Sequence, residues 1–146
     1  IDAWSVYQPA LQADVLIDVP VAKHHGSAGL SLAMKNLMGL LEPNGRGRFH
    51  GNLHQNIADL ATLFRPQLTV VDAVYMLMAH GPTGGNLSDV RQQNMVIASP
   101  DIVAADAYAA TLFGKQPHEI DYIAIGADMG LGRADLPALR IEEIAL

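Results

Sequence analysis

Short runs rich in β-branched residues are separated by longer stretches whose apolar residues recur at helical spacing. This alternation restricts the chain to α/β architectures. Val15–Val19, closed by Pro20, reads as a first strand inside the sheet and buried on both faces. Leu68–Val74, extending toward Met78, and Asn94–Ala98 read as the next strands. A polar loop, Lys23–Gly29, follows the first strand, and Ser31 is placed to cap a helix through Leu41. Asn52–Phe64 gives a second, amphipathic helix ended by Pro66. Ser99-Pro100-Asp101 caps a helix over Ile102–Phe113 with Gly114 behind it, and His118–Met129, closed by Gly130, gives another. Glu42–Gly51, with one Pro, three Gly and two Arg, reads as a loop, and Leu139–Ile144 could add an edge strand. The expected fold is a single α/β domain with a mixed, partly parallel sheet flanked by helices.

A length of 146 residues is enough to bury one core. The opening Ile1-Asp2-Ala3-Trp4 reads as the interior of a longer protein, so the domain is expected to be excised from a parent chain. The longest apolar runs, such as Leu68–Val71, fall far short of the roughly 20 residues a membrane span needs. A net charge of −6 argues against general nucleic-acid binding, which depends on neutralising phosphates. Zero cysteines exclude a disulfide, a Cys-ligated zinc and an iron–sulfur cluster within this chain. The compartment stays open, because the absence of cysteine fits either side of a membrane, with a soluble protein of the cytoplasm favoured over an exported one.

Charge placement carries the functional signal. Between Val19 and Ala58 the sole acidic residue is Glu42, against Lys23, Lys35, Arg46 and Arg48, so the stretch holds +4 − 1 = +3 inside a chain of −6. His24, His25, His50 and His54 lie there too. Cations just after a strand's carboxyl end suit an anionic ligand, because ligands of α/β sheets sit in that crevice. A free helix N-terminus at Ser31 would add its N–H groups. Lys35, on the apolar stripe of that helix, either snorkels out or points into a pocket, where burial would lower its pKa and make it a base or nucleophile. His50 and His54, four apart at a helix start, could chelate a divalent metal with Asp72 or Asp106 completing the site. Gly81-Pro82 belongs to a glycine-rich loop able to approach a ligand closely.

Several of these residues fall into one ordered pattern: Asp14-x3-Asp18-Val-Pro-x2-Lys23-x-His25, Ser31-x3-Lys35-Asn36-x2-Gly39, then His50. Val71-Asp72-Ala73, Gly81-Pro82, Ser99-Pro100-Asp101-x4-Asp106 and Gly130-x-Gly132 follow it. Over nearly the whole chain this resembles the domain-of-unknown-function 362 family, whose members are frequently longer and often carry ferredoxin-like iron–sulfur modules outside this domain. The resemblance implies an iron–sulfur partner elsewhere in the parent chain and leaves the reaction open. The short His25…Ser31…Lys35 step is also similar to a segment of nickel-pincer lactate racemases, which would make Lys35 a cofactor anchor.

The leading expectation is an enzyme domain acting on a small anion. Lys35, His25 and Asp106 would be catalytic, with Lys23, Asn36, His50, Asp72, Gly81 and Pro82 binding the ligand, and His50 with His54 as a candidate metal pair. Lys23 and Lys35 would hold the anion, His25 would act as acid or base, and Asp106 would orient or balance the cations. The alternatives are a non-catalytic module that binds an anion or metal, and a mere assembly domain.

Overall fold

The computed structural model describes residues 4–42 and 46–145. Its centre is a mixed five-stranded sheet. The strands are β1 (Ile17–Asp18), β2 (Val21–His25), β3 (Gly29–Ser31), β4 (Leu68–Leu77) and β5 (Val90–Ser99). The long β4 organises the rest. β5 lies antiparallel along one edge of it, from Thr69↔Ser99 to Leu77↔Val90. β1 and then β2 run parallel along the other edge, with Ile17 opposite Leu68 and Val21 opposite Asp72. Pro20, which has no N–H to give, breaks that line into two strands, yet its carbonyl accepts from the Asp72 amide at 2.8 Å. β3 closes the sheet antiparallel to β2, with His25 opposite Gly29.

The helices are α1 (Gln8–Gln12), α2 (Ala33–Asn36), α3 (Arg46–Phe49), α4 (Leu53–Leu63), α5 (Ile102–Leu112) and α6 (Asp121–Asp128). Asp101 caps α5 by accepting from the Ala104 amide at 2.9 Å, as its sequence signature predicts. This helix packs on β4 and β5 and also touches α2 and α6. Its Ala105, Ala107, Ala109 and Ala110 are all buried, and such small side chains permit close approach on several sides. α4 joins the same layer against α2 and α6. Val71, Ala73 and Met76 of β4 meet these helices with 0% exposure. Each large apolar side chain buried there contributes about 1.5–3 kcal/mol relative to exposure.

The fold class is as expected, but several local expectations are corrected. The first strand is not buried on both faces: Val15, Ile17 and Val19 are 61%, 52% and 60% exposed, while Asp18 between them is buried. The described helices cover one face of the sheet, so burial alternates along the strand despite its apolar composition. Ser31 is not a helix cap. Gly29, at φ 74°, turns the chain back so that Gly29–Ser31 pairs with β2, and the helix begins after Leu32. That helix lasts one turn before a 3-10 segment, Leu37–Leu40, replaces the long helix expected through Leu41. The expected loop Glu42–Gly51 contains α3 and the start of a further 3-10 turn, His50–Asn52, anchored by the buried Phe49; its residues 43–45 lie outside the described residues. The helix expected over His118–Met129 is a 3-10 turn, Pro117–Glu119, then α6, and the tail at 139–144 forms no strand.

Candidate functional site

The carboxyl ends of the parallel strands β2 and β4 come together where their following loops meet. The Gly81 amide, just beyond β4, donates to Nδ1 of His24 at 3.1 Å. Its carbonyl accepts from the Gly26 amide, also at 3.1 Å. A Cβ on Gly81 would lie 2.2 Å from the His24 carbonyl oxygen, so only glycine allows this approach. Gly81 is thus placed beside His24, with the exposed Pro82 next to it.

His25 is the centre of the cluster. It is buried, and its Nδ1 accepts from the amides of Ser27 at 3.3 Å and Ala28 at 3.2 Å within the β2–β3 turn. Burial pushes its pKa down to about 4, and Lys35, His50, His24 and Lys23 push the same way through their positive charge. Three of the nominated basic residues, Lys35, His50 and Lys23, together with His24, therefore lie within electrostatic reach of one ring. Lys23 is half-buried, its Nζ donates to the Val21 carbonyl at 3.2 Å, and burial lowers its pKa. Lys35, on α2, is 7% exposed, with its Nζ 3.2 Å from Sδ of Met38. His50 is exposed at the start of its 3-10 turn.

Asp106 does not sit among these cations as a balancing charge. It is fully buried on α5, and its two oxygens accept the amides of Ala33 at 2.7 Å and Met34 at 2.9 Å. Its carboxylate thus fills the N-terminus of α2, the end expected to offer free N–H groups to a ligand. Burial raises its pKa to about 8, the amide bonds of Met34 and Ala33 act against this, and the charge of Asp18 adds a smaller rise. Through those bonds Asp106 fixes the turn that carries Lys35.

Asn36 reaches a partner that sequence reasoning did not nominate. Its Nδ2 donates to Oδ1 of Asp18 at 2.6 Å, while Oδ2 of Asp18 is buried without a hydrogen-bond partner among the described residues. Burial raises Asp18 to about 6 against the lowering effect of Asn36. The available signal was an acidic residue inside a β-branched run, an expensive place for a carboxylate without a purpose.

Asp72 and His54 take partners other than the clustered basic side chains. Asp72 is opposite Val21 and Val96 on the sheet, and its Oδ1 accepts from the Val74 amide at 2.9 Å. His54 turns toward α6: its Nε2 is 3.7 Å from Asp121 and its ring stacks on Tyr122 at 6.3 Å. The shared helical face expected for His50 and His54 is interrupted at Asn52, whose φ −139° and ψ 59° are not helical. Among the described residues no group of three or more His, Asp or Glu is arranged to hold a metal ion. Two cavities lie elsewhere, one of about 740 Å³ between β5, α5 and the tail, and one of about 350 Å³ around Gln116–His118 and Asp128.

A model of the family described as "Domain of unknown function (DUF362)" matches residues 1–111. The chain belongs to that family. The DUF362 chain is also 26% identical over 129 residues to the thylakoid-associated protein sll1697 of Synechocystis, a match covering 84% of this chain and 39% of the relative. It therefore spans about two fifths of that relative's length. No solved structure matches. Neither the family nor this relative is described as a racemase, so the local likeness of His25…Ser31…Lys35 to lactate racemases gains no support. No helix of the described DUF362 chain is long and apolar enough to cross a membrane.

Proposed function

We propose that this DUF362 domain binds a small anion at the carboxyl ends of β2 and β4, as the ligand-holding part of an enzyme. One observation supports the reading most: the Gly81 amide and carbonyl join His24 and Gly26 across the carboxyl ends of β2 and β4, and the buried ring of His25 there lies within reach of the charges of Lys35 and Lys23. Cations so gathered repel one another, and a bound anion relieves that cost. Lys23 and Lys35 supply charge, and the loop at Gly81 supplies a close-packed wall. Asp106 is a positioning residue that holds the turn of Lys35. The catalytic partner, including the iron–sulfur module that the family resemblance implies, would come from a longer polypeptide, because this chain has no cysteine to hold a cluster. The metal pair His50 and His54 has no part in this reading.

Calorimetric titration with oxalate and with inorganic phosphate tests it. Binding should weaken as ionic strength rises and fall at least about tenfold in Lys23→Met, the loss expected when a charged hydrogen bond goes. No measurable binding of either anion, or binding indifferent to salt and to Lys23, would contradict the reading.

A further inference from the structure

An amide N–H can only donate. Each of His24 and His25 has at least one amide aimed at Nδ1: Gly81 toward His24 at 3.1 Å, and Ser27 and Ala28 toward His25 at 3.3 and 3.2 Å. Both Nδ1 atoms must therefore present a lone pair. A neutral imidazole carries one proton, so in each ring it sits on Nε2. Among the described residues, neither Nε2 donates to a protein acceptor.

This arrangement restricts the chemistry of the pair. Coordinating a metal through Nε2, or taking a proton there as a base, needs the Nε2 lone pair. A neutral ring frees that lone pair only by moving its proton to Nδ1, directly against the amide hydrogens. In histidine metal sites the other ring nitrogen does the reverse, donating its N–H to a carbonyl or carboxylate. The two rings keep a donor at Nε2 instead, and the nearby lysines are donors as well.

We propose, resting on the anion-site reading above, that His24 and His25 are locked as Nε2–H donors, and that they meet a fully ionised carboxylate or phosphate rather than a metal ion. The oxygens of such a ligand only accept, which matches the two Nε2–H groups and the lysines near them, all of them donors. His25 then serves as a neutral donor that orients the anion, and not as the acid or base that its sequence position suggested.

The test is a long-range proton–nitrogen correlation spectrum of the whole 146-residue chain with ¹⁵N-labelled histidine. It is recorded free, then with oxalate, with inorganic phosphate and with nickel chloride in separate titrations. Both rings should show the Nε2–H form before any addition. Oxalate or phosphate should move the Nε2 resonances and leave the Nδ1 resonances in place; which of the two acts separates a carboxylate site from a phosphate site. Nickel should leave His24 and His25 unbroadened. A proton on Nδ1 of either ring, or nickel broadening at their Nε2, would overturn the lock even where calorimetry shows that an anion binds. If neither anion binds, the site reading fails and the ligand class falls with it. His25→Asn separates the two nitrogens: its Oδ1 can accept from Ser27 and Ala28, so the fold should persist, while anion affinity drops about tenfold through loss of one donor. Unchanged affinity in that variant would also overturn the proposal.

Discussion

Asp106 accepts the amide of Ala33 at 2.7 Å across 73 positions of the chain. With the Met34 amide on its other oxygen, it supplies from α5 the cap that the one-turn α2 lacks in its own sequence. The position of Lys35 therefore depends on a carboxylate on another helix.

Replacing Asp106 with alanine should cost at least about 2 kcal/mol, because two buried amides lose their acceptors at once. Urea unfolding measures it. A loss under about 0.5 kcal/mol, the range of an ordinary surface substitution, would show that the cap is dispensable.

Gly81→Ala should destabilise by about 1–3 kcal/mol, the usual range for overpacking. Its Cβ would meet the backbone carbonyl of His24, which cannot swing aside as a side-chain tip would. The histidine resonances of His24 should shift with it, since the Gly81 amide is its Nδ1 donor. A variant with wild-type melting and unshifted His24 would contradict this packing of the Gly81 loop.

The one-sided sheet predicts opposite outcomes for two valines. Val19 is 60% exposed and Val71 is fully buried. Val19→Lys should change stability by less than about 0.5 kcal/mol, whereas Val71→Lys should prevent cooperative folding. Circular dichroism melts of the two proteins decide it, and comparable losses at both sites would contradict the burial pattern.

The alternation of strands and helices was legible because β-branched runs and helical spacing are local properties. The concentration of basic residues was legible too, but Lys23–His25, which reads as the start of a loop, is the second half of β2, and Lys35 lies within the one-turn α2. Pairings that depend on distant partners were not legible. Gly29–Ser31 reads as a loop and cap, and becomes a strand because β2 offers it a free edge. Asp106 reads as a site carboxylate because its sequence neighbours are apolar, and only folding brings α2 to it. Val15–Val19 reads as doubly buried because composition reports what a strand tolerates, not how many layers cover it.

His25 fixes a pH dependence. Its folded pKa is depressed from 6.5 to about 4, so its contribution to stability is complete above pH 6.5 and is lost as pH falls through 4. Wild type should therefore lose stability relative to His25→Asn across that window and keep a constant difference above it. Paired urea titrations at several pH values test this, and a difference that widens in favour of wild type on acidification would reverse the sign.

Lys35→Met bears most directly on the central claim. Lys35 is 7% exposed, and methionine fills a similar volume without a charge to desolvate. Thermal melting and oxalate titration of the two proteins should give an equal or slightly higher melting temperature, with anion affinity reduced at least about tenfold, the loss of one charged hydrogen bond. A clear fall in melting temperature with unchanged affinity would make Lys35 a structural residue and contradict the anion site.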